Sequence, residues 1–327
     1  MRALVMVGPW ELTVQERPEP EPGPTDALLE IIATGICGSD LHGYTGENGR
    51  RHAGQVMGHE TVARVLTDRT GTHPSGALVT VNPVIGCRAC AACADGTPQR
   101  CPRRTVIGVA RDISAAFAER MVAPAHNLVP LPDHMPAELG SLVEPLAVGF
   151  HAVRRAEIAE DDIVLVLGGG PIGQAAALAA RRVGVTNILV TEPEPQRRDL
   201  VSRLGFATTA GPVDGPPASV VIDAVGISQT LQTAFDASAL GARIVLVGMG
   251  SPRVEVNAYS ISTEERTVLG SFSYTEAEFR DTAAWVGAHA VELGVLVDTR
   301  VDLDEAPETF RALAARELSA SKVLVCF

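Results

Sequence analysis

The chain has 327 residues, more than one hydrophobic core usually serves, so two domains are expected. A formal net charge of -12 with no basic run excludes a phosphate-neutralising nucleic-acid binder, and charges, Gly or Pro interrupt every apolar stretch before the roughly 20 residues a membrane span needs. MRALVMVGPWELTV is broken by Gly8 and Pro9 and resembles neither a secretory nor a transit peptide, so a cytoplasmic location with reduced cysteines is expected. Lys322 is the only lysine among 27 basic residues and reads as compositional bias toward arginine.

In chain order, RALVMV, ALLEIIATGI, TVARVL, ALVTVNPV and ERMVA are short β-rich runs bounded by turn residues, which predicts an all-β unit up to about Val143. The alternating prolines Pro18, Pro20, Pro22 and Pro24 predict an extended connector. After Glu144 the pattern becomes strand and helix in alternation, as in a parallel sheet covered by helices. Predicted strands are Ile163 to Leu167, Ile188 to Thr191, Val220 to Asp223, Arg243 to Val247 and Val268 to Ser271. Predicted helices are Pro171 to Val183, Gln196 to Leu204, Ser228 to Leu240 and Glu276 to Leu293. After Ala210, GPVDGPPA carries Pro212, Pro216 and Pro217, which predict a bare loop beside a degenerate third strand. The last 33 residues read as strand, short helix and strand returning to the first domain.

VLVLGGGPIGQAAALAA sets Gly168, Gly170 and Gly173 between a buried strand and a helix. Gly168 suits the tight turn, Gly170 lets the backbone approach a pyrophosphate, Gly173 lets helix pack on strand, and Pro171 fits the first helical turn. Glu192 closes the next strand about 20 residues on, where a carboxylate accepts ribose hydroxyls and repels an added phosphate. NAD is therefore expected in preference to NADP. Arg197 and Arg198 leave room for the latter, with Arg198 read as exposed helix surface.

CRACAACADGTPQRC spaces Cys87, Cys90, Cys93 and Cys101 on one loop, a pattern that closes around a tetrahedral zinc and leaves no open position, so that zinc is structural. Cys37, Ser39, Asp40 and His42 in GICGSDLHGY, His59 and Glu60 in VMGHETV, and Glu144 in SLVEPLAVGFH offer a thiolate, an imidazole and carboxylates for a second, open zinc site. By themselves, a single histidine and cysteine so far apart are core residues more often than ligands.

Taken together, GICGSDLH, GHE, the four-cysteine lobe, VEPLAVGFHA, VLVLGGGPIG, Glu192 with Arg197, LVGMG and LGSFSY resemble, in order and over nearly the whole chain, the medium-chain zinc-dependent alcohol dehydrogenases, most closely their polyol branch. The resemblance implies an α/β fold: a GroES-like β-rich catalytic domain, residues 1–148 with 295–327, and a Rossmann doubly wound parallel-sheet domain, residues 149–294. It implies Cys37 and His59 as catalytic-zinc ligands, Asp40 orienting His59, and Glu60 and Glu144 as carboxylates of which either could bind the metal. Ser39 and His42 match a proton relay. Val225, Val247, Gly248, Met249, Ser271, Phe272 and Ser273, with Ile172 in the glycine turn, match the cofactor site, and Ser273, Tyr274 and Tyr44 match positions near substrate. Ser273 stands where sorbitol dehydrogenases often have arginine, which turns the expectation away from sorbitol.

The implied activity is hydride transfer between a secondary alcohol of a polyol, sugar, cyclitol or similar small alcohol and NAD, giving the ketone. Two zinc ions per subunit, a homodimer or homotetramer joined through Val268 to Ser271, and no nucleic-acid or membrane partner complete the expectation. A catalytically silent NAD-binding sensor and a zinc-free enone or quinone reductase are the competing readings. The first would show no NADH formation, the second no catalytic zinc.

Overall fold

A computed structural model describes every residue except Asn48, Asp112, Ser114 and Pro212. The chain forms two compact units, Met1–Glu144 together with Thr275–Phe327, and Pro145–Tyr274. The first stretch holds β1 (Arg2–Gly8), β2 (Glu11–Glu16), β3 (Asp26–Gly35), α1 (Gly38–Tyr44), β4 (Glu60–Asp68), β5 (Leu78–Val81), β6 (Val84–Ile85), α2 (Ala91–Ala94), β7 (Thr105–Val106), β8 (Arg120–Pro124) and β9 (Leu128–Pro130). Then come α3 (Val143–Arg155), β10 (Ile163–Leu167), α4 (Pro171–Arg182), β11 (Asn187–Thr191), α5 (Pro195–Arg203), β12 (Ala207–Thr209), β13 (Ala218–Asp223), α6 (Ser228–Ala237), β14 (Ser238–Leu246), α7 (Ala258–Thr263) and β15 (Thr267–Gly270). The chain ends with α8 (Glu276–Leu293), β16 (Thr299–Asp302), α9 (Ala306–Ala314) and β17 (Val323–Cys326).

In the first unit, a sheet runs β16-β17-β3-β4-β5-β9, with β8 also paired to β3. Period-two alternation in β3 sends Ala27, Leu29 and Ile31 into a core shared with Val65, Val79 and Met121. Each large aliphatic side chain so buried contributes roughly 1.5–3 kcal/mol. β17 lies antiparallel to β3, with Leu324 opposite Gly35, and Gly35 in turn faces Glu60 at the start of β4. This register brings residues from both chain ends and from the middle of the β-rich stretch to the end of β3.

The second unit carries a parallel sheet in the order β12-β11-β10-β13-β14-β15. Strand order reverses between β10 and β13, the place where such sheets open to receive ligands at their carboxyl ends. The predicted strands and helices after residue 160 all form, within a few residues of their expected ends apart from the earlier start of β14 and the earlier end of α6. β12 is only three residues long, and no regular element follows it until β13; within that loop Pro216 and Pro217 are described, while Pro212 lies outside the described residues.

Two differences stand out. Helix α3, rich in apolar residues with Pro145 in its first turn, was not among the predicted helices. The expected domain limit at 294/295 puts α8 with the nucleotide domain, whereas compactness places it with the first unit. There its buried face, including Phe279, Ala283 and Val286, packs beside residues 137–142 and β9. Among the described residues no helix is long and apolar enough to cross a membrane.

Candidate metal centre and nucleotide site

Cys37 lies two residues past β3, and His59 immediately precedes Glu60, the first residue of β4, so the pairing of these two strands brings the cysteine to the adjacent histidine and glutamate. One ligand atom from each of Cys37, His59 and Glu60 lies within 4.8 Å of the others. Asp40, fully buried in α1, accepts a hydrogen bond from the Cys37 amide at 3.2 Å and sets Oδ1 3.6 Å from His59 Nδ1. Occupation of Nδ1 by a carboxylate leaves Nε2 as the ligating nitrogen. Burial opposes a charge on His59 but is outweighed by Asp40 and Cys37, so its pKa stands well above the usual value. Burial likewise opposes charge on Asp40 and is outweighed by His59 and Arg51, which lowers the pKa of its carboxyl.

The sole lysine changes meaning here. Composition alone made Lys322 look incidental, but it is 3% exposed and donates to both oxygens of Glu60, at 2.8 and 2.5 Å, and to the Ile36 carbonyl at 3.1 Å. Burial disfavours its charge, yet Glu60, Cys37 and Glu144 together raise its pKa. Glu60 reaches across because residue 35 is glycine: a Cβ there would overlap the Glu60 carboxylate. Glu144, in the first turn of α3, is buried and within electrostatic reach of Lys322, but it does not join the three clustered ligand atoms. Asp40 lies beside Arg51 and His59, and Glu60 beside Lys322, all of them buried. A cysteine, an imidazole and a carboxylate converging in a buried setting are donors that suit a divalent cation such as zinc.

The cysteine quartet also converges. Cys87, Cys90, Cys93 and Cys101 place their sulfurs within 4.8 Å of one another. The Cys87 and Arg103 amides each donate to Cys101 Sγ at 3.4 Å, and the Arg103 guanidinium donates to Cys87 Sγ at 3.2 Å. The Ala89 amide and then Arg103 lower the Cys87 thiol to about 6, favouring the thiolate that zinc needs. Replacing Cys101, the buried member, by serine is expected to remove one zinc per chain and lower the unfolding temperature by on the order of 5–10 °C. Metal analysis and a thermal scan check this; an unchanged zinc content would contradict it.

In the second unit, the predicted nucleotide residues gather at the carboxyl ends of parallel strands. Gly168 to Gly173 follow β10, Glu192 follows β11, Val225 follows β13, Val247 to Met249 follow β14, and Ser271 to Ser273 follow β15. Gly168 has φ +96, and a Cβ on Gly173 would overlap the Gly168 carbonyl, so both need glycine. Nothing stands within 4 Å of the position a Gly170 Cβ would take, and Pro171 starts α4 there. This open helix N-terminus fits the pyrophosphate of a dinucleotide. Sequence reading missed Asp223: fully buried, it accepts from the Val225 and Gly226 amides at 2.9 Å and from Thr230 Oγ1 at 2.9 Å, holding the loop that carries Val225. An acid at a strand end followed by Gly226 was the available signal.

One family model falls in each unit, the second running on past Tyr274 into α8. Residues 23–133 match the alcohol dehydrogenase GroES-like domain and residues 171–288 match the zinc-binding dehydrogenase domain. L-galactonate-5-dehydrogenase of Escherichia coli K12 is 30% identical over 324 residues, covering 95% of this chain and 94% of the relative. The chain belongs to the zinc-type alcohol dehydrogenases. Solved structures of this family superpose over the full chain. A zinc-binding dehydrogenase of Sinorhizobium meliloti bound to NADP has a TM-score of 0.91 at 30% identity, covering 100% of this chain and 99% of that one. An alcohol dehydrogenase of Escherichia coli with NADH has a TM-score of 0.90 at 26% identity, with the same coverage.

As a zinc-type alcohol dehydrogenase, the chain departs from several expected roles. Tyr44 is 2% exposed, donates its hydroxyl to the Trp10 carbonyl at 3.0 Å and packs against Trp10 and Phe310, so it is a core aromatic and not a substrate contact. Tyr274 is fully buried, which removes its surface from a substrate as well. Ser273 adopts φ 51, a left-handed conformation rare for serine, and such strain collects at functional loops. Arg198 is not free helix surface: its Nη1 binds the Glu192 and Pro193 carbonyls at 2.8 and 2.5 Å. Arg197 buries its Nε without a hydrogen-bond partner among the described residues. His42 is half-buried and pairs through Nδ1 with Glu47 Oε2 at 2.8 Å, and Ser39 is half-buried in α1.

Proposed function

We propose that the protein is an NAD-dependent dehydrogenase that interconverts a secondary hydroxyl of a small polyhydroxylated compound, such as a sugar, polyol, sugar acid or cyclitol, with the ketone. The observation that carries this reading is the convergence of Cys37, His59 and Glu60 within 4.8 Å in a buried acidic setting. These three residues would hold the catalytic zinc, and Cys87, Cys90, Cys93 and Cys101 the structural one. When bound, zinc supplies a Lewis acid for the reacting oxygen and the nicotinamide supplies the hydride carrier.

The chain's own residues do the rest. Asp40 holds His59 with Nε2 turned to the site. Glu60 foremost, with a smaller contribution from Glu144, keeps the buried Lys322 protonated. Ser39 takes the hydroxyl proton and His42 passes it toward solvent, with Glu47 fixing the imidazole so that Nε2 stays open. Glu144 as a carboxylate beside Lys322 that does not itself ligate the metal, and a homodimer or homotetramer joined along β15, an edge strand of its sheet, belong to the same reading.

Glu192 selects the cofactor. Its two oxygens accept the Gly169 and Glu194 amides at 2.8 and 2.9 Å, which fixes the carboxylate at the end of β11 with lone pairs left for ribose hydroxyls. Glu192→Ala is expected to lower kcat/KM for NAD about tenfold or more and to narrow its advantage over NADP. Parallel assays with the two cofactors measure the ratio; an unchanged ratio removes Glu192 from cofactor choice. The substrate class is tested by a panel of polyols, sugars, sugar acids and cyclitols scored for NADH formation. Turnover confined to simple primary alcohols would contradict it.

A further inference from the structure

Behind the metal centre lies a second buried cation that the proposed reaction does not use. Arg51 is 7% exposed as a residue, its side chain is 1% exposed, and its Nη2 stands 3.7 Å from Asp40 Oδ1. Asp40 Oδ1 thus sits between two cationic or donor groups, Arg51 on one side and His59 Nδ1 at 3.6 Å on the other. Arg51 Nε and Nη2, Asp40 Oδ1 and His59 Nδ1 all lack a closer hydrogen-bond partner among the described residues. A buried guanidinium without full hydrogen bonding is costly, so its position needs a compensating partner, and Asp40 is the acid facing it.

The chain makes room for this arrangement. Gly43 lies inside α1, where glycine weakens a helix, and a Cβ on it would overlap Arg51 Cγ. The loop leading from Arg51 to His59 is tied down: Gln55 Nε2 donates to the Val109 carbonyl at 3.2 Å, and the Gln55 carbonyl accepts from the Met6 amide at 2.9 Å. Arg51 is therefore fixed in place by its stem and its loop.

We propose that Arg51 is a positioning residue of the catalytic metal centre, acting through Asp40 on the orientation of His59. Its charge lets Asp40 remain buried with Oδ1 aimed at Nδ1, and the Asp40 bond to the Cys37 amide couples the same carboxylate to a second ligand. The inference rests on Cys37, His59 and Glu60 forming a metal site, and the test separates the two claims.

The test measures zinc affinity of the Cys37, His59 and Glu60 site by chelator competition and records the visible spectrum of the cobalt-substituted protein, for the unaltered chain, Arg51→Gln, Arg51→Lys, Asp40→Asn and the double variant Arg51→Gln with Asp40→Asn. Arg51→Gln is expected to weaken zinc about 10- to 100-fold and to shift the cobalt bands, Arg51→Lys to recover most of the affinity, and the double variant to bind no more weakly than Asp40→Asn alone. Occupancy of the four-cysteine site stays unchanged. If Arg51→Gln does not fold, the comparison of Arg51→Met, which keeps the apolar stem without the charge, in the two Asp40 backgrounds decides in the same way. Unchanged affinity and spectrum, or effects that simply multiply in the double variant, would overturn the proposal. No cobalt bands at all in the unaltered chain beyond those of the cysteine quartet would instead remove the metal site itself.

Discussion

Replacing His59 by asparagine is expected to cut kcat/KM by about 10³- to 10⁴-fold, because the stabilisation lost with the Lewis acid is several kcal/mol and each 1.4 kcal/mol is tenfold. Asparagine keeps a donor for Asp40, so the buried carboxylate stays partnered and the fold survives. Zinc content falls by one ion per chain while the cysteine quartet keeps its own. The same residue sets a pH dependence. Burial disfavours protonation of His59, but Asp40 and Cys37 overcome it and raise its pKa, so in the metal-free protein the proton is held firmly. Ligation displaces it. Zinc affinity at this site should therefore fall as pH drops below the His59 pKa, with His59 contributing about tenfold for each pH unit. Chelator competition across pH measures the slope; a flat profile through the acid range would contradict ligation by His59.

Lys322→Met carries the second large effect. Lys322 and Glu60 are 3% and 1% exposed, and removal of one member of a buried pair leaves the other charge uncompensated, which costs about 3–5 kcal/mol. Denaturant unfolding of the metal-free protein should show this loss. Adding Glu60→Gln to Lys322→Met should restore part of it, since no buried charge is then left alone. With zinc loaded the penalty of Lys322→Met should shrink, because the cation gives Glu60 another positive partner. A metal-free loss below about 1 kcal/mol would show that the pair contributes little.

Legibility in the sequence followed the range of the contacts. The glycine turn at Gly168 to Gly173 and the cysteine quartet are local: every residue involved lies within a short stretch, with glycine required at Gly168 and Gly173 and the four sulfurs within 4.8 Å of one another. The parallel strands were legible because apolar runs alternate with amphipathic ones at regular spacing. Lys322 was missed because its partner lies 262 positions away, and the antiparallel pairings of β17 with β3 and of β3 with β4 bring them together. Arg51 was missed for a related reason: a surface-like RRH run gave no hint that one guanidinium turns inward over Gly43. Tyr44 went the other way, since an aromatic beside a relay histidine resembles a pocket wall until its ring is seen against Trp10 and Phe310. The choice between Glu60 and Glu144 was likewise closed to sequence, because it depends on which carboxylate reaches the Cys37 and His59 ligand atoms.

The central claim is that one chain holds two zinc ions of different function, one at Cys37, His59 and Glu60 and one at the cysteine quartet. Elemental analysis of the purified protein and of Cys37→Ser, each assayed alongside for NADH formation with a polyol substrate, addresses it most directly. The expected result is two zinc ions per chain with turnover in the unaltered protein, and one zinc with turnover lost in Cys37→Ser. A single zinc in the unaltered active protein, or full activity in Cys37→Ser, would contradict the account.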